Sequence, residues 1–186
     1  MSGEISVKGT KYRISQPADA IKAGIALVPE DRKLQGLVLN QSVNKNIGIT
    51  ILQLLERWGL VLDRKKEEAL SAGYINSLRI KTPSAQAAVQ NLSGGNQQKI
   101  VIAKWLATKP AVLLLDEPTR GIDINAKSEI YELMRSLAAE GMGIIMVSSE
   151  MPEILALADR ILVMNDGRIT ANLSGATATE QEILSH

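Results

Sequence analysis

The chain has no cysteine. That excludes a disulfide framework and a thiolate metal site, and it fits a reducing compartment. Neither sign of charge dominates: Lys+Arg number 21 against Asp+Glu 20, a net charge of +1. Nothing in that balance asks for a polyanionic partner such as nucleic acid. No apolar run approaches the roughly 18 residues that a membrane-spanning helix requires, and Met1–Thr10 does not read as a signal sequence. Any membrane role is therefore expected to be peripheral. Internal repeats and low-complexity segments are also lacking. What remains is 186 residues, 45% hydrophobic and 22% charged, enough for one domain with a real core or one domain with a small appendage.

Taken in order, the chain opens with alternation suited to a short hairpin: Ile5 and Val7, then Gly9-Thr10, then Tyr12 and Ile14. A short helix is predicted over Asp19–Ala23, after Pro17 and closed by Gly24. Ile25–Val28 is too short an apolar run for a helix and reads as a buried strand. It ends in a charged loop, Pro29–Lys33, at the kind of strand edge where ligands collect in open α/β sheets. Ile47, Ile51, Leu54, Leu55 and Trp58 fall on one face of an amphipathic helix. Asp63 is a plausible cap for a second helix, with Leu70, Tyr74, Ile75 and Leu78 on its inner face and Lys65, Lys66, Glu67 and Glu68 solvated. A weaker third helix is expected over Ser84–Val89.

Further along, a buried helix is predicted over Asn96–Ala107, then a strand over Val112–Leu115. Asp123 or Asn125 caps a helix with Ile130, Leu133, Met134, Leu137 and Ala138 on one face, ended by Gly141-Met142-Gly143. A buried strand is expected next over Ile144–Ser148, then a helix over Pro152–Leu157. Ile161–Met164 turns through Asp166-Gly167 into Arg168–Leu173. Thr179 with Glu182 forms a capping box for a last helix. Alternation of strand and helix across Ala111–Met164 argues a parallel sheet with covering helices.

Two motifs stand a helix's length apart. Leu92-Ser93-Gly94-Gly95-Asn96 is a small-residue turn opening a helix, where backbone N–H groups and the positive helix end suit an anion. Taken alone it reads first as an ordinary serine-capped helix start. Asp116-Glu117-Pro118 ends an apolar strand, so two adjacent carboxylates are anchored at a sheet edge and point in opposite directions. One suits a divalent cation and the other the deprotonation of water; taken alone, the same residues simply turn a strand into a loop.

Together, LSGGNQQK and LLLDEPTRGID resemble the signature motif and Walker B strand of an ATP-binding cassette (ABC) ATPase, most closely the second cassette of the double-cassette subunits in sugar import. The resemblance runs from Ser2 to about Ile183. It implies an α/β fold: an incomplete P-loop-type ABC ATPase core of parallel sheet with covering helices, a small α-helical subdomain and an N-terminal β hairpin. The implied division is 1–35 for part of the nucleotide-binding core, 36–90 for the helical subdomain, and 91–186 for the signature helix, Walker B and the rest of the core. ATP and Mg²⁺ are the implied cofactors. Glu117 is the implied general base, with Asp116 and Glu30 on the metal side. Ser93, Gly94, Gly95 and Asn96 would meet the γ-phosphate of a nucleotide held by a second cassette, and Asp123, in the D-loop Gly121-Ile122-Asp123, would communicate across that dimer. Ser149 stands at the switch position. The helical subdomain would dock on a membrane permease, at the cytoplasmic face of the cell membrane.

The departures are as informative. The phosphate-cradling pattern G-x-x-x-x-G-K-[ST] occurs nowhere in the sequence. Met1–Ile5 resembles the family's stretch shortly after that loop, so the expectation is a cassette lacking its amino-terminal part, without appreciable ATP hydrolysis on its own. Glu30 occupies the usual place of the Q-loop glutamine, and Ser149 that of the switch histidine, whose charge and reach a serine does not supply. His186, the only histidine, sits at the extreme tail. A non-catalytic module lending Ser93–Gly95 to a partner's site is the alternative reading. A ribosome- or DNA-acting ABC ATPase would want a basic arm or a long coiled coil, and residues 36–90 are too short and too evenly charged for either.

Overall fold

The computed structural model describes residues 3–57 and 61–186. They group into two compact units, one running to Met146 and the other Val147–His186.

The first unit begins with the expected hairpin, β1 (Ile5–Val7) against β2 (Thr10–Tyr12), antiparallel with Ile5 opposite Tyr12. Lys8 and Gly9 both have positive φ, 50° and 78°, which matches the strand twist in a two-residue turn. Helix α1 (Pro17–Lys22) carries Pro17 in its first turn and gives way at Gly24, φ 79°. Strand β3 (Ile25–Val28) comes next. A wide turn at Arg32–Gly36 is capped by Asp31, whose Oδ1 accepts from the backbone N–H groups of Lys33 and Leu34 at 2.9 and 3.0 Å.

The single amphipathic helix expected around Ile47–Trp58 is broken. Helix α2 (Val43–Gly48) passes through a tight turn at Ile49–Ile51 into the short α3 (Leu52–Leu55). Gly48 packs where a Cβ would lie 2.9 Å from Leu55, and Thr50 Oγ1 donates to the carbonyl of Lys104 at 2.7 Å. Tertiary contacts at Gly48 and Thr50 override the helical period, and Leu54 is left 72% exposed; Trp58 lies outside the described residues. Strand β4 (Glu56–Arg57) then pairs with β5 (Val61–Leu62). Helix α4 (Arg64–Ser77) is capped by Asp63 as predicted, its Oδ1 accepting from Lys65 N–H and Lys66 N–H. Glu67, expected in solvent, is only 5% exposed. It faces α2, where Asn44 Nδ2 donates to it at 3.4 Å, an inward carboxylate that helical periodicity did not single out.

Nor does Ser84–Val89 form a helix. The backbone there pairs with the segment before α2: Val43 N–H donates to Ala87 O (3.1 Å), Val89 N–H to Gln41 O (3.0 Å) and Gln90 N–H to Leu39 O (3.0 Å). Those groups are spent across the chain rather than within a turn. Only a short 3₁₀ turn at Val89–Asn91 precedes α5 (Gly94–Leu106).

Helix α5 is the centre of this unit. Ile100, Val101, Ile102 and Ala103 are buried beside Val43, Ile47 and Val89, each large aliphatic side chain contributing roughly 1.5–3 kcal/mol. Strand β6 (Val112–Asp116) runs parallel to β3 in the register Ile25↔Val112 to Val28↔Leu115, and leads on to α6 (Ile124–Ala139) and β7 (Gly143–Val147). The sheet order is β3-β6-β7. Its inner face, Ala26, Val28, Leu113 and Leu115, is buried, while Leu27 on β3 and Ile145 on β7 are 48% and 58% exposed. Both strands were expected to be buried; among the described residues the Leu27 face of one and the Ile145 face of the other are not covered.

In the second unit, α7 (Met151–Leu157) leads to β8 (Arg160–Asn165) and β9 (Arg168–Ser174), an antiparallel hairpin turning at Asp166-Gly167. β8 therefore pairs with β9 rather than joining the parallel sheet expected to extend to Met164. Helix α8 (Glu180–Leu184) closes the chain, capped by Thr179 Oγ1 accepting from Glu182 N–H at 3.2 Å.

Candidate functional site

Strand β6 is clamped between β3 and β7 and so delivers Asp116 rigidly to the sheet edge. The next residue, Glu117, has φ 45°. A left-handed conformation at a non-glycine residue costs of order 1 kcal/mol and is held only where the surroundings demand it. Here Thr119 is buried, Arg120 N–H donates to Glu117 O at 3.1 Å, and Ile122 N–H to Thr119 O at 3.2 Å. The chain turns twice between the carboxylates and α6. Both carboxylates remain half-exposed. Asp123 then caps α6, its Oδ1 accepting from Ala126 N–H at 2.9 Å.

The amino end of α5 sits against that of α6. A Cβ on Gly95 would lie 2.5 Å from Ala126 Cβ, so the glycine is what lets the two helix starts touch. Ser93 is exposed at this junction and makes no capping bond of its own. Its Oγ instead accepts from Asn96 Nδ2 at 2.8 Å, while Asn96 Oδ1 accepts from the backbone N–H of Lys81 at 2.7 Å. The donor at Lys81 fixes which end of the amide points where, and with its acceptor side engaged Ser93 keeps its own O–H as a donor. Asn96, placed by the sequence among ligand-contacting residues, is occupied in orienting Ser93.

Of the predicted site residues, the fold brings Ser93, Gly94, Gly95, Asn96 and Asp123 together, with Asp116 and Glu117 at the head of the loop that leads to Asp123. Glu30, on the loop after β3, forms an ion pair with Arg120. Ser149 lies in the second unit, exposed ahead of α7. Among the described residues no three His, Cys, Asp or Glu side chains gather as a metal-holding group.

Three participants escaped the sequence reading. Arg32 donates from Nη1 to Arg120 O at 2.8 Å and from Nη2 to Gly121 O at 3.1 Å. Lys99, 3% exposed, donates to Glu129 Oε2 at 2.7 Å and to Arg79 O at 3.1 Å. Glu129 takes a second lysine, Lys81, on Oε1 at 3.1 Å. Hydrogen bonds from Lys99 and then Lys81 hold the Glu129 carboxyl below its ordinary value of 4.5. The one sequence signal for Arg32 was its place in a charged loop at a strand edge; Lys99 and Glu129 read as ordinary helix residues.

A family model described as ABC transporter matches residues 1–120. The ribose import ATP-binding protein of Rhodopirellula baltica is 53% identical over 183 residues, covering 98% of this chain and 36% of that protein. The xylose import ATP-binding protein of Moorella thermoacetica is 52% identical over 182 residues, again covering 98% and 36%. The chain thus spans little more than a third of the length of these curated relatives. Among solved structures, a nucleotide-free ATP-binding cassette from an ABC transporter superposes with a TM-score of 0.78 at 20% identity, over 99% of this chain and 72% of that one. A dimeric post-hydrolysis cassette bound to ADP and Pi gives a TM-score of 0.73 at 20% identity, over 93% and 73%.

Proposed function

The chain belongs to the ABC transporter family, and on that premise we propose that it is part of the ATP-hydrolysing subunit of a sugar importer of the ribose or xylose kind, working opposite a second cassette. The observation that carries this reading is the exposed Ser93 hydroxyl, oriented by Asn96 at the start of α5 and set beside the Asp123-capped start of α6.

The residues present fit the phosphate end of a nucleotide. Ser93 offers an O–H and the first turn of α5 offers backbone N–H groups, with the glycines at 94 and 95 letting Arg32 and Ala126 pack close behind that turn. Mg-ATP, when bound, supplies the phosphoryl group and the charge that has to be neutralised. With nucleotide bound, Glu117 would accept the proton of the attacking water and Asp116 would serve the metal side. Glu30, paired here with Arg120, would serve the metal side as well. Asp123 meets the opposite cassette, and Ser149 takes the switch position.

In this reading residues 36–90 face a membrane permease, and Val38, Ile49, Leu52 and Leu54 give them exposed apolar surface. No helix among the described residues is long and apolar enough to cross a membrane, and the site of action is the cytoplasmic face of the cell membrane. The sequence contains no G-x-x-x-x-G-K-[ST], so the chain alone contributes no phosphate cradle and hydrolyses no ATP. That feature, with Ser149 at the switch position, favours as a second reading a module that lends its signature turn without turning over its own site.

The test mixes the chain with an intact partner cassette whose own signature serine has been replaced. ATP turnover of the mixture is expected to rise with added chain, and to stay flat with Ser93→Ala. No rise with the unaltered chain, once association is shown by sedimentation, overturns the proposal. Steady turnover by the chain alone, abolished by Glu117→Gln, overturns the claim that it is inactive by itself.

A further inference from the structure

We infer that Arg32 is a positioning residue: its guanidinium clamps the Arg120-Gly121 corner onto the signature turn, so that the loop leading from Glu117 and the turn carrying Ser93 are held as one body. The catalytic consequence rests on the function proposed above; the clamp itself does not.

The two guanidinium nitrogens take two successive carbonyls, Arg120 O and Gly121 O, at 2.8 and 3.1 Å. Such a paired contact uses the rigid fork of arginine and leaves little rotamer freedom. The corner it grips is sharp, with Gly121 at φ 66°. The same guanidinium lies against Gly94: a Cβ there would stand 2.8 Å from Nη2 and 3.3 Å from Gly121 O. Arg32 is thus wedged between the signature turn and the loop, and position 94 is glycine because the wedge fills its side-chain space.

The base of the wedge is firm. Asp31 accepts from the two backbone N–H groups that follow Arg32, those of Lys33 and Leu34, and Gly36, at the end of the turn, packs where a Cβ would lie 3.0 Å from Val101 of α5. A second strut comes from the same loop, the Glu30–Arg120 ion pair. Both its side chains are well exposed, which limits it to a minor share. Arg32 therefore carries the clamp, and lysine, a point donor, replaces one of its two bonds at most.

The clamp is tested without nucleotide, by native-state amide exchange of the full 186-residue chain. Arg32→Ala is expected to speed exchange of both the 93–96 and 120–124 segments about tenfold, with Arg32→Lys intermediate and the middle of α5 unchanged. Gly94→Ala, by displacing the guanidinium, should reproduce the pattern and add nothing to Arg32→Ala. Unchanged exchange in both segments, uniform acceleration along the chain, or additive effects of the two substitutions would overturn the clamp. Should Arg32→Ala fail to fold, the Arg32→Lys and Gly94→Ala comparison decides by the same criterion. The positioning role is read in the mixed-cassette assay, where Arg32→Lys should lower kcat several-fold at unchanged KM for ATP. A clamp loosened in exchange but with kcat unmoved reduces Arg32 to a strut and overturns the positioning claim; an unaltered chain that fails to activate the partner tells against the proposed function alone.

Discussion

Gly95 illustrates how much of this molecule turns on the size of one side chain. Two helices begin at the same point, and the space between them at Ala126 admits a hydrogen and no more. Gly95→Ala is expected to destabilise the fold by about 1–3 kcal/mol through overpacking, measured as a lowered urea midpoint at unchanged m-value. A midpoint equal to that of the unaltered chain would mean that α5 and α6 can part without cost. Glycine in the small-residue turn was legible in the sequence, but as a phosphate-binding feature. The packing reason for Gly95 and the wedge beside Gly94 depend on residues 31 and 62 positions away, and local pattern holds no record of them. Glu117 is similar: its place after an apolar strand was readable, whereas its left-handed backbone arises from the double turn that Thr119 anchors.

Among the elements, helices with strong caps had their starts foreseen: α4 behind Asp63, α6 behind Asp123 (offered beside Asn125), α8 behind Thr179. Elements shaped by contact were not. The break between α2 and α3 and the non-helical backbone at Ser84–Val89 both arise where tertiary hydrogen bonds intervene. The Lys99–Glu129–Lys81 ladder ties α5 and α6 to the chain beyond α4. Because folding depresses the Glu129 carboxyl, the unfolded chain binds more protons in acid, and the ladder's contribution is present above the ordinary 4.5 and lost as pH falls through the folded value. Glu129→Gln should therefore cost roughly 1 kcal/mol near neutrality, partly by stranding the buried Lys99 ammonium. The gap to the unaltered chain should close in acid; urea unfolding from pH 7 to 3 reads it, and a gap constant with pH would assign the loss to packing instead.

For the whole molecule, the fold class emerged from the alternation of strands and helices and from two motifs, because those patterns record a sheet edge and a helix start directly. The exposed outer face of the sheet, with Leu27 and Ile145, was not readable, since an apolar strand looks the same whether one side is covered or two. Calorimetry of the purified chain with millimolar Mg-ATP is expected to show no binding heat, because the phosphate-cradling pattern is lacking. Saturable binding would point to a phosphate site built from residues other than that pattern.

The orientation of Ser93 has one more consequence. Its hydroxyl is set by Asn96, and Asn96 by a main-chain N–H at Lys81, just beyond α4. The message passes through peptide backbone at its far end, so a side-chain scan across position 81 would register the Lys81–Glu129 ion pair and leave this bond in place. At that end Lys81→Pro, which deletes that hydrogen, would cut the line, letting the amide rotate and the serine lose its fixed bearing. The bearing of the signature serine is thus tied to the main chain at position 81, whatever side chain stands there.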